Sequence, residues 1–374
     1  MRRLIISISI IGLCLSAGAA YGQNSNYPAI RYLSSYSQSM AGVSLPLSQD
    51  TGNSLFNNPA GLARSEKFKA EFINLDVDAG AKIFGAIGTG MTTLGGLSTN
   101  LNSHPNSTYA EGISDLTALS WGGFAIGVLY QERVRAYSDG TTVHYQTLSE
   151  LIPAVGYGLS LARGVVRVGY SMQYVNEASG QAQAVSNSNA SFLSGINQGH
   201  AFSSTASVNM VFPFEYLPSF SLVGRNIGGL HYAGGNLLSR AKNVTGLPSD
   251  ATASFDAAFN LTIRLSGSLK SFWFAEYDDV SSAARIPFFE RLRLGAEFSL
   301  SRAFAMRVGS TGGQFSGGIG FRSDSSEINV SMYSDRSPFA NISYWDTRYA
   351  LQYKVFFQDH NTRDRDAESR GPKQ

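Results

Sequence analysis

The chain has 374 residues, of which 15% are charged and 12% are aromatic, with 39 glycines and a formal net charge of +2. Soluble domains carry roughly 25% charged residues, so this composition disfavours a soluble globular enzyme, and the near balance of charge gives no electrostatic reason to expect nucleic-acid binding. The single cysteine, Cys14, lies near the N-terminus, which excludes disulfides and thiolate metal sites from the rest of the chain.

Residues 1–22 have the pattern of a bacterial secretory signal peptide. Arg2 and Arg3 precede a short apolar stretch, and small residues then lead to a predicted cleavage after Gly22. A membrane anchor is the alternative, but the apolar stretch is shorter than the roughly 20 residues that cross a bilayer as a helix. Removal of this segment removes two of the 29 basic residues, so the remaining 27 basic residues equal the 27 acidic residues in number.

Residues 23–66 are rich in Gly, Ser and Asn and do not form a pattern typical of a lipid-facing strand. Pro59 has no N–H to donate to a neighbouring strand, and every backbone polar group in lipid needs a partner. We therefore expect this segment to lie inside or beneath a barrel. A plain cap at Asn58, Pro59 and Ala60, leading through a short helix into the first strand, is the alternative interpretation.

From residue 67 to residue 357 the recurring pattern is an alternation of apolar and polar or small side chains. Clear examples are residues 155–162, 166–174, 255–264, 292–300 and 328–332. This period of two predicts strands with one apolar face, as in a soluble sandwich, a solenoid or a transmembrane barrel. The export signal, strands close to the 9–11 residues that cross a tilted bilayer, and opposite faces of Gly, Ser, Asn and charges favour a transmembrane antiparallel β-barrel of about 14 strands.

Charged side chains on the predicted polar faces are candidates for the lumen. They could constrict a pore, bind an inner segment or form paired ladders that stiffen the wall, and burial requires that each be satisfied. Arg293 and Glu297 are two positions apart on one such face, so their side chains could pair within one strand. The predicted lumen residues are Arg167, Arg293, Glu297, Arg307 and Arg322.

Two regions have patterns that do not settle their structure. Residues 78–115 contain apolar residues among many glycines, which fits an amphipathic helix, a strand pair or an apolar loop that dips into the membrane. Residues 177–203 are rich in Ser, Asn, Ala and Gln, a composition that predicts a mobile loop outside the membrane.

The C-terminal region combines one strongly alternating strand with a polar tail. The strand is similar to the terminal strand that outer-membrane assembly machinery recognises, and its apolar positions are Tyr349, Leu351, Tyr353, Val355 and Phe357. Residues 358–374 are polar and mixed in charge, which predicts a disordered tail. The tail departs from the usual pattern, in which the chain ends on the aromatic residue.

A family resemblance is carried mainly by Met40-Ala41-Gly42, Asp50-Thr51-Gly52-Asn53 and Asn57-Asn58-Pro59-Ala60-Gly61-Leu62. In this order and spacing they resemble the opening of the FadL-type outer-membrane transporter superfamily and of its PorV/PorQ-like group, and residues 220–228 and 291–321 resemble later strands of that group. The resemblance implies a barrel of about 14 strands whose N-terminal segment plugs the lumen. The plug residues that it implies are Gly42, Asp50, Gly52, Asn53, Asn58, Pro59 and Ala60.

Three functions remain open at this point. The first is a passive channel for hydrophobic or amphipathic small molecules, as the FadL-type resemblance implies. The second is a PorV/PorQ-like barrel that binds secreted or surface proteins. The third is a structural, oligomeric or lipid-contacting barrel without transport.

The chain offers no signal for an enzyme, a metal site or a cofactor. Its five histidines are not spaced as metal ligands, and neither a Gly-x-Ser-x-Gly elbow nor a phosphate-binding glycine loop occurs. The expected location is the outer membrane of a Gram-negative bacterium. The expected partners are outer-membrane lipid and the barrel-assembly machinery, with a hydrophobic ligand or further copies of the chain as alternatives, and no nucleic acid.

Overall fold

The computed structural model describes most of the chain from residue 31 to residue 358. The described ranges are 31–46, 50–65, 67–81, 101, 103, 108–185, 194–214, 216–235, 243–266, 269–280, 287–300, 303–339 and 342–358. The predicted signal peptide, most of the ambiguous region 78–115 and nearly all of the predicted tail lie outside the described residues.

Strands dominate the structure. They are β1 Lys69–Gly80, β2 Thr108–Trp121, β3 Phe124–Ser138, β4 Thr142–Leu161, β5 Val166–Val185, β6 Ser194–Val211, β7 Ser219–Arg225, β8 Asn243–Gly246, β9 Ser254–Arg264, β10 Lys270–Tyr277, β11 Leu292–Ser299, β12 Phe304–Thr311, β13 Gln314–Arg322, β14 Ser326–Phe339 and β15 Ile342–Gln358. The helices are short: α1 Ser35–Gln38, α2 Thr51–Phe56, α3 Phe288–Arg291, and 3-10 turns at Pro59–Arg64 and Ala162–Gly164. Among the described residues, no helix is both long and apolar enough to cross a membrane.

Fourteen of these strands form a closed antiparallel barrel. Sequence neighbours pair from β1 to β7 and from β9 to β15, β7 pairs directly with β9, and β1 pairs with β15 to close the ring. The short strand β8 lies outside this ring and pairs in parallel with the start of β6. Closure leaves no free strand edge, which is the condition for a sheet to cross a bilayer. The predicted strand number is confirmed.

The two faces of the wall follow the predicted alternation. In β15, Leu351 is 52% exposed and points outward, whereas its neighbour Gln352 is 3% exposed and points inward. In β14, Val330 is 43% exposed and Ser331 is 2% exposed. An outer face of large apolar side chains and an inner face of polar and small ones are typical of a transmembrane barrel.

The last strand, β15, joins the two ends of the ring. It pairs with β14 on one side and with β1 on the other. The apolar positions that the sequence analysis assigned to the assembly signal lie on this strand, and Tyr349, Leu351, Tyr353 and Phe357 are exposed on its outer face. Recognition by assembly machinery stays a prediction.

The prediction of a mobile loop over residues 177–203 is wrong for most of that range. Residues 177–185 continue β5, residues 194–203 belong to β6, and the two strands pair from Val166 and Met210 as far as Gly180 and Ile196. Polar side chains predict exposure to water but not irregular backbone, because a strand can extend beyond the lipid layer and keep its hydrogen bonds. In the ambiguous region 78–115, residues 78–80 and 108–115 belong to β1 and β2, whereas the apolar residues between positions 83 and 97, on which the three alternatives depend, lie outside the described residues.

The barrel has two distinct ends. At one end, which we call proximal, β2 and β3 are joined by Gly122 and Gly123, and β4 and β5 by the 3-10 turn Ala162–Gly164. The opposite end, which we call distal, includes the long connection between β7 and β9. At the proximal end Ser65 of the N-terminal segment accepts a hydrogen bond from the N–H of Gly123 at 2.9 Å, and β1 begins at Lys69.

We predict that Val330→Arg, on the outer face of β14, lowers the free energy of unfolding in lipid vesicles by about 2–4 kcal/mol, because a charge in the middle of the lipid layer is costly. The matched control is Ser325→Arg in the exposed turn before β14, which should change stability by less than about 0.5 kcal/mol. Urea unfolding followed by tryptophan fluorescence measures both. Equal effects of the two variants would contradict a lipid-facing outer surface.

Candidate functional site

The N-terminal segment, residues 31–65, lies against the inner face of the wall. Its first part, residues 31–46, includes α1 and contacts side chains of β1, β7 and β9–β15. Its second part, residues 50–65, includes α2 and the 3-10 turn Pro59–Arg64 and contacts β1–β7. These contacts come from strands on all sides of the ring, so the segment lies within the circle of strands.

Carboxylates of the wall accept hydrogen bonds from backbone N–H groups of the segment. Glu276 of β10 accepts from Ser44 and Leu45, at 2.8 and 2.9 Å. Glu71 of β1 accepts from Thr51 at 2.7 Å, and Asp76 of the same strand accepts from Ser35. A short helix leaves its first N–H groups without internal partners, and an acceptor with negative charge is favourable there. The wall therefore supplies acceptors for the first N–H groups of α1 and α2, while Ser34 of the segment caps α1 at the N–H of Ser37.

A buried lysine connects the start of α2 to the wall. Lys354 of β15 lies 2.9 Å from the carboxylate of Asp50 and 3.3 Å from that of Glu71. Although burial raises the pKa of Asp50, the ammonium group of Lys354 holds it below its usual range. The lysine thus compensates two carboxylates that would otherwise repel each other at the entry to α2.

A second contact involves Tyr36 of α1. Its hydroxyl donates to Glu297 at 2.7 Å, and Glu297 also accepts from Arg307 at 2.7 Å. The guanidinium carbon of Arg307 lies 3.8 Å from the centre of the Tyr36 ring, which is a cation–π geometry. Tyr36 is therefore bound through both its hydroxyl and its ring.

The start of the described segment is bound by an ion-pair cluster. Arg31 pairs with Asp278 at 2.6 Å and with Glu276, and Arg293 of β11 pairs with Asp278 at 2.6 Å. Arg293 also donates to the carbonyl of Ala41 at 3.1 Å. Although burial opposes it, the charges of Arg293 and Arg31 hold the pKa of Asp278 at about 2.

Glycines on the inner face allow the segment to approach the wall closely. A Cβ at Gly169 of β5 would lie 2.1 Å from the carbonyl carbon of Pro59, and one at Gly309 of β12 would lie 2.4 Å from that of Met40. Real Cβ atoms do not approach backbone this closely, so both positions require glycine in this arrangement.

The seven residues that the resemblance assigned to a plug all lie in this interface or order the segment. Gly42 has a left-handed φ of +81°, and a Cβ there would overlap the guanidinium of Arg293. Asn53 and Asn58 donate to the carbonyls of Ser44 and Leu45, each at 2.8 Å, and so connect the two parts of the segment. The remaining contacts are those of Asp50 with Lys354, Gly52 with Glu71, Pro59 with Gly169, and Ala60 with Ser207.

The predicted pairing of Arg293 with Glu297 along β11 is wrong. Arg293 pairs with Asp278, and Glu297 pairs with Arg307, its direct neighbour on β12. Directly opposed residues on antiparallel strands have Cβ atoms about 5 Å apart, whereas residues four apart along a strand are separated by about 13 Å.

The other two predicted lumen residues differ in their surroundings. Arg322 lies at the proximal end of β13, 3.9 Å from Glu327. For Arg167 of β5, Nη1 is buried and has no hydrogen-bond partner among the described residues.

The sequence analysis missed the acceptors that bind the segment. Glu71, Asp76 and Glu276 were not singled out, although each lies on the polar face of an alternating strand. It also missed Arg225 of β7, which pairs with Asp256 at 2.7 Å and donates to the carbonyl of Asn57 at 3.3 Å. The sequence signal that points to these residues is a charged side chain at an inward position of a strand whose other inward residues are Ser, Asn and Gly.

Comparison with known proteins identifies the fold. No protein-family model and no curated protein matches the chain. Among solved structures, a deltaS2S3 mutant of TodX, a monoaromatic hydrocarbon channel, has a TM-score of 0.52 at 10% identity, covering 87% of this chain and 99% of that one. CymD, also a monoaromatic hydrocarbon channel, has a TM-score of 0.48 at 11% identity, covering 88% and 98%. A Pseudomonas aeruginosa FadL homologue has a TM-score of 0.46 at 10% identity, covering 89% and 100%.

The chain is therefore a closed antiparallel β-barrel whose fold is similar to that of the TodX mutant. The FadL-type resemblance is confirmed at the level of the fold. The closer resemblance to the PorV/PorQ-like group stays a prediction.

Gly309→Ala should displace the first part of the segment, because the new methyl group would overlap the backbone of Met40 and Ala41. We expect faster hydrogen exchange in residues 35–46 and a loss of about 1–3 kcal/mol, the usual cost of overpacking. Gly317→Ala is the control, since its nearest neighbour, the carbonyl oxygen of Arg307, would lie at 3.5 Å. Exchange that is the same in both variants would argue against the close contact.

Acid should weaken the cluster around Asp278. Because the pKa of Asp278 is lowered to about 2 in the folded chain, its contribution is complete above the ordinary aspartate value near 4 and is lost as the pH falls towards 2. The shift corresponds to roughly 2 kcal/mol. We predict that Asp278→Asn removes this part of the pH dependence of unfolding between about pH 4 and pH 2. A parallel pH profile in wild type and variant would be inconsistent with the ion pairs.

Proposed function

We propose that the chain is a passive outer-membrane channel for hydrophobic or amphipathic small molecules and that residues 31–65 are its plug. The observation that carries this proposal is the position of the segment within the ring of strands, where it lies in the path of any solute that crosses the barrel. The hydrocarbon channels of similar fold support the same assignment. Passive flow needs no cofactor, energy source or catalytic step from the chain.

The two parts of the plug differ in how they are bound, which suggests which part moves. Leu55, Phe56 and Leu62 of the second part belong to one continuous apolar cluster with side chains of β2–β6. Full burial of each such side chain contributes about 1.5–3 kcal/mol. The second part therefore resembles a fixed core of the barrel.

Apart from Tyr32, which belongs to the same apolar cluster as Leu55 and Phe56, the first part is bound by smaller apolar contacts and by many polar ones. Met40 and Val43 pack with Phe274, and Leu45 packs separately with Val223 and Ala258. The remaining contacts include the hydrogen bonds and ion pairs to Asp76, Glu276 and Asp278 described above. Water can replace such bonds, although each bond to a charged group contributes about 1.5–3 kcal/mol net. We infer that passage occurs when residues 31–46 leave the wall while residues 50–65 stay in place.

Two engineered disulfides test this inference, because the only natural cysteine, Cys14, lies in the predicted signal peptide. The hydroxyl oxygens of Ser35 and Ser331 are 2.8 Å apart, so Ser35→Cys with Ser331→Cys would link the first part to β14. Those of Thr51 and Ser120 are 3.0 Å apart, so Thr51→Cys with Ser120→Cys would link the second part to β2.

We predict that oxidation of the Ser35–Ser331 pair lowers uptake of toluene or octanoate into proteoliposomes at least tenfold and that reduction restores it. Oxidation of the matched Thr51–Ser120 pair should leave uptake within twofold of the reduced protein. A lack of effect from both disulfides would contradict movement of the plug. No uptake by the wild type above protein-free vesicles would contradict the channel itself.

A further inference from the structure

The wall of the barrel is short over three adjacent strands. The strands β10, β11 and β12 have 8 residues each, whereas β14 has 14 and β4 has 20. A tilted strand needs about 9–11 residues to cross a bilayer. A membrane protein meets such a shortfall by thinning the bilayer locally or by using flanking residues that reach into the lipid. The side formed by β10–β12 therefore needs an additional apolar element if the bilayer keeps its thickness there.

The helix α3 lies at the distal end of these three strands, because it connects the end of β10 to the start of β11. The carbonyl of Phe289 accepts from the N–H of Gly312 at 3.0 Å. The carbonyl of Glu290 accepts from the hydroxyl of Thr311 at 3.3 Å. Thr311 ends β12, and Gly312 belongs to the turn that follows it. These bonds hold α3 along the distal rim from β10 to β12.

The side chains of α3 have the reverse of the arrangement expected in water. Phe288 and Phe289 are each 55% exposed, whereas Arg291 is half-buried. The guanidinium carbon of Arg291 lies 5.0 Å from the centre of the Tyr277 ring, and its Nη1 donates to a backbone carbonyl at 2.9 Å. A helix that faces water presents charged side chains outward and apolar ones inward. The exposed rings of α3 therefore favour an apolar surrounding.

The exposed rings are continuous with the outer face of the wall. The centre of the Phe288 ring lies 5.1 Å from that of Tyr277 and 5.4 Å from that of Phe289. Tyr277 is the last residue of β10 and lies on the same face as Trp273, opposite to the inward Glu276. An apolar outer band with aromatic residues near its edges is the surface that a transmembrane barrel presents to lipid. The rings of α3 extend this band beyond the ends of the strands.

We propose that Phe288 and Phe289 contact the acyl chains of outer-membrane lipid and complete the apolar height of the wall over β10–β12. This inference rests on the proposed function, because that function places the wall in the outer membrane. A lipid partner accounts for the two exposed rings, for the inward position of the Arg291 side chain and for the shortness of the three strands. A second copy of the chain on the same surface is an outcome that the test distinguishes.

The test uses single spin labels in the full exported chain, since the only natural cysteine, Cys14, lies in the predicted signal peptide. Labels are attached to Phe289→Cys, Val244→Cys and Val330→Cys in dimyristoyl phosphatidylcholine vesicles. Val244 is the matched control, because it is an apolar residue of the distal end with 53% exposure. Its strand, β8, pairs with the start of the 18-residue β6, beyond the length that crosses a bilayer. Val330 marks the outer face of the wall.

Collisions of each label with oxygen, which concentrates in lipid, and with a water-soluble nickel chelate are measured by electron paramagnetic resonance. We expect the ratio of oxygen to nickel collisions to be at least fivefold higher at residue 289 than at residue 244. Equal ratios would overturn the lipid contact. A label at residue 289 that both reagents fail to reach would indicate a protein partner, such as a second copy, and would also overturn it.

The label at Val330 separates this inference from the proposed function. If that label collides mainly with the nickel chelate, the wall does not lie in lipid and both proposals fail. If it lies in lipid while the label at residue 289 lies in water, only the contact of α3 is refuted. Uptake into proteoliposomes is measured separately, so a lipid-exposed residue 289 without uptake would refute the channel and leave the lipid contact standing.

A second measurement keeps the natural rings as the reference. We predict that Phe288→Ser with Phe289→Ser slows folding into dioleoyl phosphatidylcholine vesicles at least fivefold. The same variant should fold within twofold of the natural chain in the thinner dilauroyl phosphatidylcholine vesicles, because the short strands alone match that bilayer better. The control, Val244→Ser with Leu247→Ser, should stay within twofold in both lipids. Equal slowing of the α3 variant in both lipids would assign the rings to packing within the protein and overturn the proposal.

Discussion

Buried carboxylates on the inner wall need hydrogen-bond donors, and the backbone of the N-terminal segment supplies them. Glu71, Asp76 and Glu276 are each less than 5% exposed and accept from N–H groups at Thr51, Ser35 and Ser44. An ionised group without partners in the interior costs several kcal/mol, and the first N–H groups of a short helix are equally unsatisfied. The carboxylates of the inner wall therefore accept the hydrogen bonds that the segment's N–H groups need to donate. Without the segment the wall would have buried acceptors without donors, and without the wall the segment would have N–H groups without acceptors.

Close approach is the second condition for this arrangement. Glycines at 169 and 309 remove the side chains that would separate the segment from the wall. The apolar cluster around Leu55, Phe56 and Leu62 then fixes the second part, whereas the first part depends more on polar bonds. The contacts of the second part are mainly apolar, whereas water or a solute can replace many contacts of the first part, as the proposed movement of residues 31–46 requires.

The wall could be predicted from the sequence because alternation with a period of two is a local property. In residues 155–162 and 328–332 the alternation of apolar and polar residues predicted which side chains point outward, and counting such runs predicted the number of strands. Partners could not be predicted in the same way. Glu297 binds Arg307 and Tyr36, and Lys354 binds Asp50, but strand register and the path of the segment decide these contacts. The mistaken loop at residues 177–203 has a related cause, since a polar composition does not determine backbone geometry, and Gln198 and Ser203 in this range are buried.

The most direct test of the central claim is the single-channel conductance of the full exported chain in a planar bilayer, with Glu71→Gln, Asp76→Asn and Glu276→Gln combined. The substitutions keep the size of each side chain and replace the carboxyl groups that the segment's N–H groups bind. If wall carboxylates retain the segment within the ring, the variant should show frequent large openings where the wild type shows few. Conductance that matches the wild type, in a variant whose barrel is equally folded, would contradict the account.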